Sequence, residues 1–272
     1  MSDPAPVGCY THSGYEDDFE LLEPTAYTGS GWGPNMQHGG PVSALLTRAM
    51  ERHLNEGTRI TRIAVEILSA VPLSTMRLRS WIKRPGRRIA LLQSELQAQD
   101  DAGRWRPVAM ASAWQLSTRP TQEIAHHADA RVPLPSRFDA GGNGSLGAWR
   151  MGFVSALEWH IDGPIGQPGV PTMAWLRLAQ PVVLGEEPTD LQRVLAMADV
   201  ANGVGARLDP QHWTFLNTDL SVYLFEPPQG EWFGIQAETS VGHDGIALSS
   251  AVLHGAGGPV GRIAQNVLVQ PR

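Results

Sequence analysis

Asn35-Met36-Gln37-His38-Gly39-Gly40-Pro41 runs directly into an apolar segment, Val42 to Leu54, and the reading of this stretch decides the fold. Two glycines and a proline ahead of Val42, Leu45, Leu46, Ala49, Met50 and Leu54 predict a sharp turn opening a helix with one apolar side. Thr47, Arg48, Glu51, Arg52 and Asn55 fall on the opposite side, and Gly57 supplies a stop. Glycines at a helix start leave unpaired backbone N–H groups at its positive end, where a carbonyl or anionic oxygen can come close. An isolated Gly-Gly before a helix is also an ordinary tight connection, so the rest of the chain has to discriminate.

The 272 residues, 42% hydrophobic and 18% charged, fit a soluble globular chain of one large domain or two small ones. A net charge of −6 gives no support for a nucleic-acid or anionic-membrane partner. Cys9 is the one cysteine, so no intramolecular disulfide and no thiolate metal cluster can form, which suits the cytoplasm. Met1 to Tyr15 lacks the pattern of an export signal, and no run approaches the ~20 apolar residues of a membrane helix. The expectation is an unexported, cytoplasmic protein.

Residues 1 to 15 read as a loose leader, followed by a strand around Asp18 to Tyr27. Beyond Gly57 the period becomes two. Ile63, Val65 and Ile67, then Met76, Leu78 and Ile82, then Arg88 to Ala98 and Trp105 to Ser117 predict four consecutive strands of an antiparallel meander. Residues 118 to 147 carry Pro, Gly, His, Ser and Asp without a period and read as a linker. The linker's Gly142-Asn143-Gly144-Ser145-Leu146-Gly147 has no strand before it and no helix after it, which argues against a dinucleotide loop. His126-His127-Ala128-Asp129 lacks a further nearby ligand and reads as solvated, so no metal is expected.

The second half repeats the first. Strands at Trp149 to Ile161 and Thr172 to Leu178 lead to a helix from Asp190 to about Ala206. Four strands then follow, near Phe215 to Phe225, Trp232 to Thr239, Ile246 to His254 and Val260 to Val269. Leu45 matches Leu195, Pro72 matches Pro228 and Ile89-Ala90-Leu91 matches Ile246-Ala247-Leu248, all about 150 to 157 residues apart. The organisation predicted is α+β: a first unit at 1–117, a linker at 118–147 and a second unit at 148–272, each a sheet covered by one helix.

Four motifs stand in order inside this duplication: Gly33-Pro34-Asn35-Met36-Gln37-His38-Gly39-Gly40, Ala198-Asp199-Val200-Ala201-Asn202, Asn217-Thr218-Asp219 and Ile263-Ala264-Gln265. Together they resemble the type II acyl-CoA thioesterase family, a tandem (double) hotdog in which each antiparallel sheet wraps around a central helix. The likeness covers nearly the whole chain outside leader and linker. It implies hydrolysis of a small-molecule acyl-CoA substrate without cofactor or metal. In that family an aspartate, a glutamine and a threonine hold the attacking water. The resemblance thereby points to Asp199 and Gln265. With Asp219 and Pro228 as anchors the third position falls on Asn217, one place before Thr218, so both are carried as catalytic candidates.

Read without the family, Asp199 lies about 80° around the second helix from Leu191, on the shoulder of its apolar stripe. A partly shielded carboxylate there could be a base or a solvated edge residue. Asn202 points further inward. Gln265 shares a strand face with Ile263, Val267 and Val269, where an amide either satisfies a backbone group or binds a water. His38 could orient substrate or cap the helix.

The halves differ where chemistry would need them to. Ala49 stands where the second half has Asp199, and Pro188-Thr189-Asp190 stands where the first has His38-Gly39-Gly40. One complete site is therefore expected, with Gly39, Gly40, His38 and Asn202 on the substrate. Lys83 to Arg88, with Arg59 and Arg62, could meet coenzyme A phosphates, although a charged hairpin is more often only solvated. A Gly-x-Ser-x-Gly elbow is absent and Cys9 lies in the leader, which argues against a covalent nucleophile. The rival readings are a hotdog enoyl-thioester hydratase or dehydratase and a non-catalytic acyl-thioester binding module. Exposed edge strands make a homodimer possible.

Overall fold

The computed structural model describes residues 7–135, 152–162 and 170–272. The Gly142 to Gly147 motif, Trp149 and the end of the predicted linker lie outside the described residues.

In the first half, Tyr10–Glu16 (β1) and Phe19–Pro24 (β2) precede the helix Gly39–Glu51 (α1), followed by Thr58–Ile67 (β3), Met76–Arg84 (β4), Ile89–Gln99 (β5) and Trp105–Ser117 (β6). The second half opens with Leu157–Asp162 (β7), Thr172–Leu178 (β8), Asp190–Ala198 (α2) and Ala201–Val204 (α3). It closes with Trp213–Asn217 (β9), Asp219–Leu224 (β10), Trp232–Val241 (β11), Ile246–Gly255 (β12) and Gly258–Pro271 (β13). The strands form one sheet in the order β1-β2-β4-β5-β6-β3-β10-β13-β12-β11-β8-β7, with β9 alongside β13. Each half therefore shows the same permutation, and β3 meets β10 at the centre from Asp219 opposite Glu66 to Tyr223 opposite Arg62. This is the double hotdog expected, with both helices inside the curve of the sheet.

Several expectations are corrected. Residues 10–15 of the supposed leader belong to β1, and Tyr10 is fully buried with its hydroxyl donating to Gln37 Oε1 at 2.8 Å. The four strands after α1 are not a simple meander, because β3 pairs with β6 and not with β4. The second helix breaks after Ala198, with Val200 N–H reaching back only to Met197 O. The strand expected over Phe215 to Phe225 is interrupted at Thr218, where β9 leaves off and β10 crosses to β3. Among the described residues, the strand expected from Trp149 is a 3-10 turn over Gly152–Ala156 before β7 begins.

The two helices lie side by side and antiparallel. At one end Glu51 accepts hydrogen bonds from Thr189 Oγ1 at 2.8 Å and Gln192 Nε2 at 2.6 Å, so the start of α2 is filled by the end of α1. At the other end a Cβ on Gly40 would lie 2.3 Å from Ala196 O, a contact only glycine permits. The face of α1 read as polar is solvated only toward its C-terminal end, where Arg52 and Asn55 are exposed. Thr47 is fully buried and donates to Ser43 O, and Arg48, 6% exposed, is bound by Glu20 and Glu186. The core runs continuously through both halves, with Leu45, Leu46 and Met50 of α1 and Val194, Leu195 and Met197 of α2 fully or almost fully buried. Each such side chain contributes roughly 1.5–3 kcal/mol on removal from water.

Candidate functional site

The helix break after Ala198 makes Asp199 the C-cap of α2 and turns its side chain toward the start of α1. A Cβ on Gly39 would stand 2.7 Å from Asp199 Oδ2 and 2.9 Å from Oδ1, so the first glycine is where the two halves touch most closely at the acid. Asp199 Oδ1 accepts from Asn217 Nδ2 at 2.8 Å and from Gln265 Nε2 at 3.2 Å, while Oδ2 lies 3.0 Å from His38 Nδ1. Asp199, Asn217, His38 and Gly39 line one cavity of about 340 Å³ whose remaining walls are mainly apolar, with Trp32, Met36, Val42 and Trp159 among them.

Gln265, fully buried in β13, serves the backbone of the helix break. Its Nε2 donates to Asp199 O at 3.1 Å and its Oε1 accepts from Asn202 N–H at 2.9 Å, replacing bonds a continuous helix would have made. The amide thereby ties the helix break to the Asp199 carboxylate. Asn202 supports the same corner, its Nδ2 donating to Phe215 O at 2.9 Å, while its buried Oδ1 has no partner among the described residues. Asn217 and Thr218 both border the cavity, and the interruption of the strand at Thr218 sends their side chains to different partners. Asn217 turns inward to Asp199, whereas Thr218 is exposed and its hydroxyl accepts from Asn266 Nδ2 at 3.2 Å.

The glycine pair divides its work differently from the expectation. His38 N–H donates to Thr28 O at 2.7 Å, Gly40 N–H approaches His38 Nδ1 at 3.1 Å and Pro41 has no N–H, so among the described residues Gly39 N–H is the donor of the helix start without a partner. Gly40 lacks a side chain because α2 and Phe153 leave no room for one, not to admit a ligand. His38 was readable in the sequence as a cap or a substrate contact. Its position beside Asp199 depends on the crossing of two helices about 150 residues apart, and no local pattern records it.

Other candidates fall away from the cavity. β4 starts beside Gln37, whose Nε2 lies 3.2 Å from Met76 Sδ, and ends at Arg84, roughly 26 Å further along at the usual rise of a strand. The basic hairpin Lys83 to Arg88 thus sits at the other end of β4 from Gln37. Arg59 is held by Leu224 O and Phe225 O, and Arg62 packs over Tyr223. His127 meets Glu226 at 3.5 Å, and no cluster of three metal-binding side chains occurs among the described residues. Burial pushes the Cys9 thiol up to about 12, which keeps it unreactive. No helix among the described residues is long and apolar enough to cross a membrane.

Comparison with known proteins places this architecture in a class. Residues 28–116 match the Acyl-CoA thioesterase N-terminal domain and residues 126–269 match the Acyl-CoA thioesterase C-terminal domain. The chain belongs to the acyl-CoA thioesterase family. No curated protein sequence matches it. Among solved structures, the acyl-CoA thioesterase II TesB2 of Mycobacterium marinum superposes with a TM-score of 0.68 at 14% identity, over 96% of this chain and 95% of that one. The tesB protein of Mycobacterium avium subs paratuberculosis gives 0.68 at 14%, over 96% of each chain. A hot dog fold protein of unknown function from Alicyclobacillus acidocaldarius gives 0.71 at 14%, over 94% of each. At such identities the likeness speaks for the fold alone.

Proposed function

We propose that this protein hydrolyses acyl-CoA thioesters to the free acid and CoA, using water held at the Asp199 cluster while Gly39 N–H polarises the thioester carbonyl. The observation that carries the reading is the contact of Gly39 with the Asp199 carboxylate across the two halves, inside one mainly apolar cavity. A donor for developing negative charge and an acidic group then face the same reacting atom. Family membership supports the reaction class, and the apolar walls suit an acyl chain.

Free thiol measured during incubation with acyl-CoAs of several chain lengths tests the proposal. Turnover by the wild type and a fall of about 10²- to 10⁴-fold in kcat for Asp199→Asn are expected. Binding without thiol release would replace it with an acyl-binding module. Hydration of an enoyl thioester without thiol release would replace it with a hydratase, a chemistry the fold can host, since the dehydratase domain of the polyketide PpsC from Mycobacterium tuberculosis superposes at a TM-score of 0.50.

A further inference from the structure

His38 Nδ1 stands 3.1 Å from Gly40 N and 3.0 Å from Asp199 Oδ2, yet one ring nitrogen has a single in-plane valence. It either accepts from the Gly40 N–H or carries a proton and donates to the carboxylate. A bare nitrogen lone pair against an ionised oxygen is repulsive, while an N–H donated to a carboxylate is a charge-assisted bond, roughly twice as strong as a neutral one. Charge therefore favours the tautomer with the proton on Nδ1, which leaves the lone pair on Nε2.

The exposures point the same way. The His38 side chain is 16% exposed against 3% for Asp199, and Nε2 is neither sealed off nor partnered among the described residues. Asp199, by contrast, has three of its four acceptor positions taken and the Gly39 backbone against it. Asn217, on the same cavity, uses its Nδ2 toward Asp199 and Asp219 O, and among the described residues its Oδ1 has no partner.

We infer that His38 is a further catalytic residue of the proposed hydrolysis, its Nε2 taking the proton from the attacking water while Asp199 holds the ring and Asn217 Oδ1 accepts the second O–H. This assignment rests on the hydrolytic reading. The step balances: the water O–H breaks to His38 Nε2 as the oxygen bonds to the carbonyl carbon. The C–S bond then breaks, and the sulfur leaves with the proton returned by Nε2–H, giving acid and thiol. With Nδ1 engaged by Asp199, the Gly40 N–H is released from its cap beside the free Gly39 N–H.

His38→Asn is the discriminating variant, because asparagine is among the best helix caps and can hold the helix start without supplying a base. If His38 is the base, this variant folds with unchanged helix content, its kcat falls about 10²- to 10⁴-fold and KM changes little. Imidazole ¹⁵N chemical shifts of the wild type should place the His38 proton on Nδ1. Near wild-type kcat in His38→Asn, or a proton on Nε2, overturns the assignment. If the wild type releases no thiol from any acyl-CoA, the hydrolytic reading fails and takes the catalytic role with it. The tautomer then still reports separately whether His38 is paired with Asp199.

Discussion

At the residue scale, Gly39 and Gly40 are adjacent and non-interchangeable. The three atoms nearest a methyl group on Gly39 would all belong to the Asp199 carboxylate, so Gly39→Ala should act first on the acid. A displacement of about 1 Å in such a site costs on the order of 10²-fold in rate. The expected result is a large loss of kcat with a thermal midpoint close to wild type. On Gly40 the same methyl group would meet Ala196 O and the Phe153 ring at 2.6 Å, which are parts of the helix crossing. Gly40→Ala should therefore destabilise by about 1–3 kcal/mol in urea unfolding, as overpacked cores do. That ordering, activity lost at one glycine and stability at the next, checks the geometry of the helix start independently of the substrate.

At the element scale, two charge clusters pin α1. Arg48 donates to the buried Glu20 at 2.9 Å and also meets Glu186 of the second half. Burial alone would raise the Glu20 carboxyl, but the hydrogen bonds and charges of Arg48 and Arg52 carry it below its usual 4.5. A depressed carboxyl contributes stability above its unfolded value, and that contribution is lost as pH falls through the folded value. Arg48→Met should cost about 3–5 kcal/mol at neutral pH and flatten the loss of stability on acidification below pH 4.5, both measured by urea titration.

Glu51, at the other end of the helix, behaves oppositely. Burial raises its carboxyl above 4.5, only partly offset by the hydrogen bonds from Gln192 and Thr189. Its ionised form is penalised in the fold, so stability falls as pH rises through the folded value. Glu51→Gln, which keeps an acceptor for Thr189, should be at least as stable as wild type at neutral pH and gain nothing in acid.

At the scale of the whole molecule, the candidate site draws its residues from both halves. His38 and Gly39 come from one and Asp199, Asn217 and Gln265 from the other. They are held by the β3–β10 ladder and the paired helices. We propose that the stretch from 118 onward works as a connector. Residues 118 to 128 are exposed and contain only a short 3-10 turn, Gln122–Ile124. A protease site engineered at Thr121 and cut should leave two fragments that co-elute and retain thiol release, whereas either fragment expressed alone should show none. Separation of the cut fragments under native conditions would contradict this picture.

The sequence by itself determined the elements whose register is written locally. Period-two alternation located β4 to β6 and β11 to β13, the glycine turn located α1, and the matched landmarks exposed the duplication. Motif order and the family resemblance pointed to Asp199 and Gln265, whose side chains the fold brings within 3.2 Å of each other. Only the tertiary structure decided that β3 sits beside β6, that Thr47 and Arg48 are buried, that α2 stops at Asp199, and that Asn217 rather than Thr218 faces the acid. The physical reason is range. Periodicity records which side of an element meets apolar surroundings, whereas strand adjacency, helix crossing and the meeting of His38 with Asp199 are pairings between segments distant along the chain, which leave no trace in either segment alone.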